Sequence, residues 1–248
     1  MGSLGVSSVE EELTVLVTGF GPFRANYPIN PSWEITSLLP DYLPADRPKD
    51  VTRRSPAGLP PVRICKLGPV RVSYDVVRDL VPQIWDGDGE SVGRKFDLVV
   101  HIGMAGPRPH YQIERRGHRD GYRSRDVDGK LLEDEERHAR EGEKWIWHGV
   151  PHELLTDFDI DDIYRKWVAR SPSELDLRIS DDPGRYLCDF IYFSSLAHLW
   201  KQQRDKKVIF FHVPLYPDEA SIQRGVELTL TLIRSIVESE LGRKKRTG

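Results

Sequence analysis

The sequence predicts an α/β fold, a central and mostly parallel sheet covered by helices on both faces. Three observations point there. Short β-branched runs alternate along the chain with segments of helical period. One run, "KFDLVVHIGM" at 95–104, is apolar almost without interruption, as strands covered on both faces are. The motifs "GFGPF" (19–23), "HIGMAG" (101–106) and "HVP" (212–214) each close a predicted strand, on the sheet edge where such folds hold their sites.

Taken in order, "TVLVTG" (14–19) reads as a buried strand ended by glycine. In "NPSWEITSLL", Asn30 is the candidate cap of a helix whose first position is Pro31. The stretch Pro40–Pro61 is rich in proline and charge and reads as an inserted loop. "VRICKLG" (62–68) is a second strand, and "SYDVVRDLVPQIW" (73–85) has helical period but contains Pro82, which predicts a kink or break. After the strand at 95–104 comes a long polar region, to Gly149, that no periodicity organises. A helix at Asp161–Arg170, a strand at Asp176–Ser180, a helix at Leu187–Lys201, the strand "KKVIFFHVP" and a long helix at Ala220–Leu241 complete the chain. With no internal repeat, the 248 residues are expected to form a single domain, with 1–12 and 242–248 as flexible tails.

A net charge of −3 directs the chain to neither nucleic acid nor a membrane surface. Two cysteines, Cys65 and Cys188, make no disulfide framework and suit a reducing compartment, so a cytoplasmic protein is expected. No apolar run approaches the length of a membrane span. The N-terminus lacks the features of a signal peptide, and Val6 stands where a myristoylation motif wants Ser or Thr.

Cys188 lies just past a Pro-Gly turn signal, where a buried helix begins. A free cysteine is often an inert, small hydrophobe. In the first turn of a helix, however, a sulfur meets the positive end of the macrodipole and unpaired N–H groups, which favour a thiolate and can hold an oxyanion. His212 closes a buried strand, either as a satisfied core residue or as the base for a thiol on the preceding helix. A helix start and the end of the following strand share one edge of the sheet, so the two can meet. A third group should orient the histidine, and by spacing alone Glu114 is one carboxylate among many.

At these residues the sequence resembles the pyroglutamyl peptidase I (pyrrolidone-carboxylate peptidase) family of cysteine peptidases. "VTGFGPF" followed by "NPSWE" is close to its opening signature, and "HIGMAG" with "YQIERRGHRDGY" resembles the segment bearing its glutamate. "GRYLCDFIYFSSL" matches the nucleophile segment of animal-type members, and "FFHVP" the histidine strand. The resemblance implies a three-layer α/β/α sandwich around a twisted, mixed sheet. It implies Cys188 as nucleophile, His212 as base and Glu114 as the orienting partner. It further implies Phe20, Phe23, Tyr186 and Leu187 as substrate-binding positions, no metal or cofactor, and peptides with an N-terminal pyroglutamate as substrates.

There are departures from the family pattern. "RRGHRDGYRSRD" follows Glu114 where bacterial members carry a hydrophobic run and an oxyanion arginine, leaving Arg123, or after it Arg125, as the candidate replacement. Asp189 stands where bacterial members have asparagine, and the acidic stretch Glu133–Glu143 reads as an inserted surface loop rather than a lid. Asp126, Asp128, Gly129 and Glu135 fit four positions of a calcium loop, but Ser124 replaces its first aspartate. "GFGPF" lacks the spacing of a dinucleotide loop. The competing functions are a cysteine hydrolase of another cyclic amide and a non-catalytic binder of blocked peptide termini. Neither nucleic acid nor membrane is an expected partner, and a monomer is the first expectation for an oligomeric state the sequence leaves open.

Overall fold

The computed structural model describes residues 12–23, 27–45, 59–87, 95–106 and 108–247. The expected N-terminal tail, apart from Glu12, and the middle of the Pro40–Pro61 insertion lie outside these residues. Strand β1 (Leu13–Phe20) leads into α1 (Pro31–Ser37), then β2 (Val62–Val70), α2 (Tyr74–Asp86) and β3 (Leu98–Met104). Strand β4 (Tyr111–Glu114), β5 (Arg116–His118), α3 (Asp134–Glu141) and β6 (Glu153–Leu155) follow. Helix α4 (Ile160–Arg170), β7 (Leu177–Ser180), α5 (Leu187–Lys201), β8 (Val208–Val213) and α6 (Glu219–Thr247) close the chain.

The main sheet has six strands in the order β2-β1-β3-β8-β4-β7. β2, β1, β3 and β8 run parallel; β4 is antiparallel to β8, and β7 follows the direction of β4. Successive side chains of a strand face opposite sides, and the core divides accordingly. Val15, Val17, Ile102, Ile209 and Phe211 pack with Ile35 of α1, Trp167 of α4 and Ile233 of α6. Leu16, Val99 and Phe210 pack on the other face with Val77 of α2 and Phe190 and Leu196 of α5. The α/β/α layering predicted from the sequence is the observed one.

Four expectations need correction. Helix α2 runs unbroken from Tyr74 to Asp86 with Pro82 inside it, where the missing N–H forgoes a bond to the Arg78 carbonyl. The acidic stretch at 133–143 is largely helical rather than a loop. Asp134, Glu135 and Glu136 occupy the first turn of α3, where the helix dipole favours negative charge. An ion pair from Arg78 to Asp134 and a stack of His138 on Trp145 anchor this helix. The polar region after β3 holds two short strands, β4 and β5, and β5 pairs with β6 just beyond the region in a separate two-stranded sheet. Lastly, the expected tail at 242–248 continues α6 to Thr247. Its basic residues suit a helix C-terminus, and Arg243 pairs with Glu240 one turn back.

Helix α1 starts as predicted. The Asn30 carbonyl oxygen of the side chain accepts from the Ser32 backbone N–H, and its amide donates to the Gly21 carbonyl at 2.9 Å. Ser32 Oγ in turn accepts from the Phe20 N–H at 3.0 Å. The cap therefore fixes the turn after β1 as well as the helix. Replacing Asn30 with Ala should cost about 1–2 kcal/mol of stability in urea unfolding, and Asn30→Asp should also destabilise, because its second oxygen would face the Gly21 carbonyl where the amide now donates.

Candidate active site

The first turn of α5 stands at the carboxyl edge of the parallel strands. Tyr186 is its N-cap, in extended backbone conformation and with no side-chain cap, and the first intrahelical bond runs from Phe190 N–H to the Tyr186 carbonyl at 2.9 Å. The N–H groups of Leu187, Cys188 and Asp189 precede that bond, so the helix presents unspent donors at its positive end. Cys188, half-buried, sits among them.

Beneath the sulfur lies Gly103 of β3. A Cβ there would stand 2.8 Å from Cys188 Sγ and 2.6 Å from the Phe210 ring, closer than real contacts allow. Only glycine lets the sulfur settle against the strand. Next to β3, β8 brings His212 to the same edge, where the imidazole faces the Cys188 sulfur. His212 Nδ1 lies 2.7 Å from Glu114 Oε1, which leaves the other ring nitrogen for the sulfur. Glu114 is fully buried and His212 is 4% exposed, so water does not screen the pair.

The reversed strand β4 makes that contact possible. In the β4–β8 register Gln112 opposes His212 and Glu114 opposes Phe210. Glu114 therefore approaches the histidine from deeper in the sheet, with the cysteine on the solvent side. Burial disfavours charge on His212, but the facing Cys188 sulfur and the Glu114 carboxylate outweigh it, and the imidazole is pushed up to about 10. A second buried pair supports the helix start. Asp189 accepts from the His118 backbone N–H at 2.9 Å and lies 3.1 Å from His118 Nδ1, tying β5 to α5. Burial raises the Asp189 carboxyl, and the His118 contacts oppose that shift.

The remaining predicted positions separate. Phe23 and Tyr186 are half-buried with ring centroids 6.5 Å apart, and Phe23 also stacks on Tyr27. They form an aromatic wall continued by Tyr74, whose ring meets Tyr186 edge-on. Phe20 and Leu187 are core residues between the sheet and helices α2 and α5. The Tyr186 hydroxyl donates to the Arg125 carbonyl, which brings the 122–126 segment near the helix start. The Arg123 side chain itself is exposed and lines a surface groove with Leu131, Glu133, His138 and Trp145. Asp126 and Asp128 of the calcium-like stretch are engaged otherwise: Asp126 accepts from the Tyr74, Asp128 and Lys130 backbone N–H groups, and Asp128 pairs with Arg71.

Sequence reasoning did not single out Gly103, Gln112, His118 or Tyr74. For Gln112 the signal was present, because "HYQIE" places His110, Gln112 and Glu114 at alternate positions, one face of a strand.

A family model described as pyroglutamyl peptidase matches residues 90–238. Pyroglutamyl-peptidase 1 of Mus musculus is 29% identical over 231 residues, covering 92% of this chain and 90% of its own. The Homo sapiens protein of the same name is 28% identical over 202 residues, covering 81% and 78%. Among solved structures, the pyrrolidone carboxyl peptidase of Thermus thermophilus superposes with a TM-score of 0.58 at 25% identity, over 91% of this chain and 99% of its own. A mutant pyrrolidone carboxyl peptidase from Pyrococcus furiosus superposes with a TM-score of 0.64 at 23% identity, over 91% and 99%, a likeness of fold.

The geometry yields two expected outcomes. At pH 7 iodoacetamide should alkylate Cys188 about tenfold or more faster than Cys65, with the proton held on His212, and Gly103→Ala should erase the difference; equal rates in the unsubstituted protein would contradict this. The second concerns stability. A folded His212 raised from 6.5 to about 10 contributes stability that is complete below pH 6.5 and is lost as the pH climbs through about 10. Melting temperatures should therefore fall more steeply across that window in the unsubstituted protein than in His212→Gln.

Proposed function

This chain belongs to the pyroglutamyl peptidase family, and on that premise we propose that it is a cysteine exopeptidase. It removes an N-terminal pyroglutamyl residue from peptides through a thioester intermediate. The observation that carries this reading is the hydrogen bond between His212 and Glu114, with the imidazole facing Cys188 at the uncapped start of α5. A protein that merely bound blocked termini would have no use for a nucleophile, a base and an orienting carboxylate in sequence.

Pyroglutamate has its amino nitrogen locked in a lactam, so a site for it needs no carboxylates to hold an ammonium. It needs flat apolar walls and a few hydrogen bonds to the ring amide. In this reading Phe23 and Tyr186, whose rings lie 6.5 Å apart next to the start of α5, supply such walls. In the proposed reaction the Cys188 sulfur, its proton resident on His212, attacks the carbonyl of the pyroglutamyl residue. Negative charge develops on the carbonyl oxygen, where the Cys188 N–H and its neighbours at the helix start stabilise it. As the tetrahedral intermediate collapses, the C–N bond breaks and His212 delivers its proton to the departing amine. Water then adds to the thioester with neutral His212 taking its proton, the C–S bond breaks, and pyroglutamate leaves as the free acid. Through both halves Glu114 holds the Nδ1–H side of the ring and balances its positive charge.

The decisive assay is release of a fluorogenic amine from its pyroglutamyl derivative, with the prolyl derivative, which lacks the lactam carbonyl, as control. The pyroglutamyl compound alone should be cleaved, and Cys188→Ala should lower the rate by at least about a thousandfold. Absence of cleavage by the folded, unsubstituted protein would sink the proposal. Equal cleavage of the prolyl compound would remove the lactam from it.

A further inference from the structure

Strand β4 carries more of the site than its glutamate. His110, Gln112 and Glu114 lie on one face of the strand and are 8%, 4% and 0% exposed. Their side chains touch in sequence. His110 Nε2 is 2.9 Å from Gln112 Oε1, Gln112 Nε2 is 2.6 Å from Glu114 Oε1, and Glu114 Oε1 is 2.7 Å from His212 Nδ1. From His110 to His212, every side-chain step is a hydrogen bond.

Chemistry fixes the direction of this chain. A carboxylate can only accept, so Gln112 must turn its NH2 group toward Glu114. Its carbonyl then faces His110, and His110 must donate through Nε2–H. The Gln112 amide cannot flip without placing its oxygen against the Glu114 oxygen. It thus points a donor at the carboxylate for as long as His110 donates to it.

The carboxylate needs that donor. Gln112 and His212 converge on Oε1, while Glu114 Oε2 is buried with no hydrogen-bond partner among the described residues. Apart from His212, the side-chain donor holding the carboxylate in its plane is Gln112. Without it, the carboxylate can turn about its last torsion, a broad and weakly restricted one, and His212 loses the fixed acceptor that keeps its other nitrogen on the sulfur.

We propose that Gln112, itself oriented by His110, is a positioning residue that fixes the Glu114 carboxylate and through it the tautomer and aim of His212. This rests on the proposed role of Cys188 and His212. It extends the line of interacting groups from three residues to five, without either new member touching substrate.

The test is steady-state kinetics on the pyroglutamyl amide, together with the proton NMR resonance of the His212 Nδ1–H, which reports the Glu114 bond whether or not the chain turns over. Gln112→Met, similar in size but without a donor, should lower kcat by about tenfold to a hundredfold while KM moves less than about twofold. The far-downfield Nδ1–H resonance should shift upfield or broaden. His110→Gln, which retains a donor in reach, should keep most of the activity, whereas His110→Phe should lose several-fold in kcat. Should Gln112→Met fail to fold, the two His110 variants carry the same comparison. Folded Gln112→Met with unchanged kcat and an unchanged resonance would overturn the proposal, as would equal kcat in His110→Gln and His110→Phe. An unsubstituted protein with no turnover would count against the function proposed above. The resonance would still decide the relay.

Discussion

The hydrogen bond from His212 Nδ1 to Glu114 Oε1 is the constraint around which the site is arranged. It joins two groups that an ordinary apolar core could hold separately only at a high cost. A buried carboxylate left alone costs several kcal/mol, and an isolated buried imidazolium a similar amount. Together each makes the other's burial tolerable. The bond exists because one strand of the sheet, β4, runs against its neighbour β8. Had β4 been parallel to β8, its carboxyl end would have reached the same edge as Cys188. The glutamate would then have met solvent and the helix start instead of the far side of the histidine. The reversal places three groups in depth, with the carboxylate innermost and the sulfur outermost.

Helix α5 answers the second requirement, holding the sulfur still. It is buried nearly all round, between the sheet on one side and α2 with the β5–β6 pair on the other, and its apolar residues accordingly follow no amphipathic stripe. Two polar devices fasten it. At its start, Asp189 grips the backbone and ring of His118. One turn and a half further on, Ser195 bonds His101 Nε2 at 2.9 Å while His101 Nδ1 meets Thr18 at 2.8 Å, linking β1, β3 and α5. Burial pushes His101 down to about 3, so this connection stays neutral and puts no second charge near the proposed catalytic pair. His101 and Gly103 lie on the same face of β3, so the strand that yields room for the sulfur also anchors its helix.

The aromatic wall of Phe23, Tyr186 and Tyr74 belongs to three separate stretches of chain, assembled where the turn after β1, the start of α2 and the start of α5 converge. The Asn30–Ser32 bonds fix the first stretch, and the Asp126 carboxylate, accepting from the Tyr74 N–H, helps fix the second. The acidic residues that resemble a calcium loop in the sequence thus brace the aromatic wall next to the start of α5.

Local chemistry was enough to establish the elements and their order where apolar period is strong. The cap at Asn30, the limits of α5 and the buried strands β1, β3 and β8 were all legible, because each depends on residues within a turn or a strand of one another. The candidate nucleophile and base were legible too, since a helix start and the next strand's end must share a sheet edge. Strands β4–β6 and helix α3 were not. The strands are only three or four residues long and α3 has no buried residue, so none shows an apolar period; distant partners such as Tyr192, Asp189 and Arg78 hold them instead. For the same reason no spacing could choose Glu114 from the other carboxylates or reveal Gln112 beside it. What selects them is the antiparallel register of β4 on β8, a pairing between segments nearly a hundred residues apart. The sequence by itself determined which side chains were available to do chemistry; the tertiary structure decided which of them meet, because only long-range pairing removes water from between them.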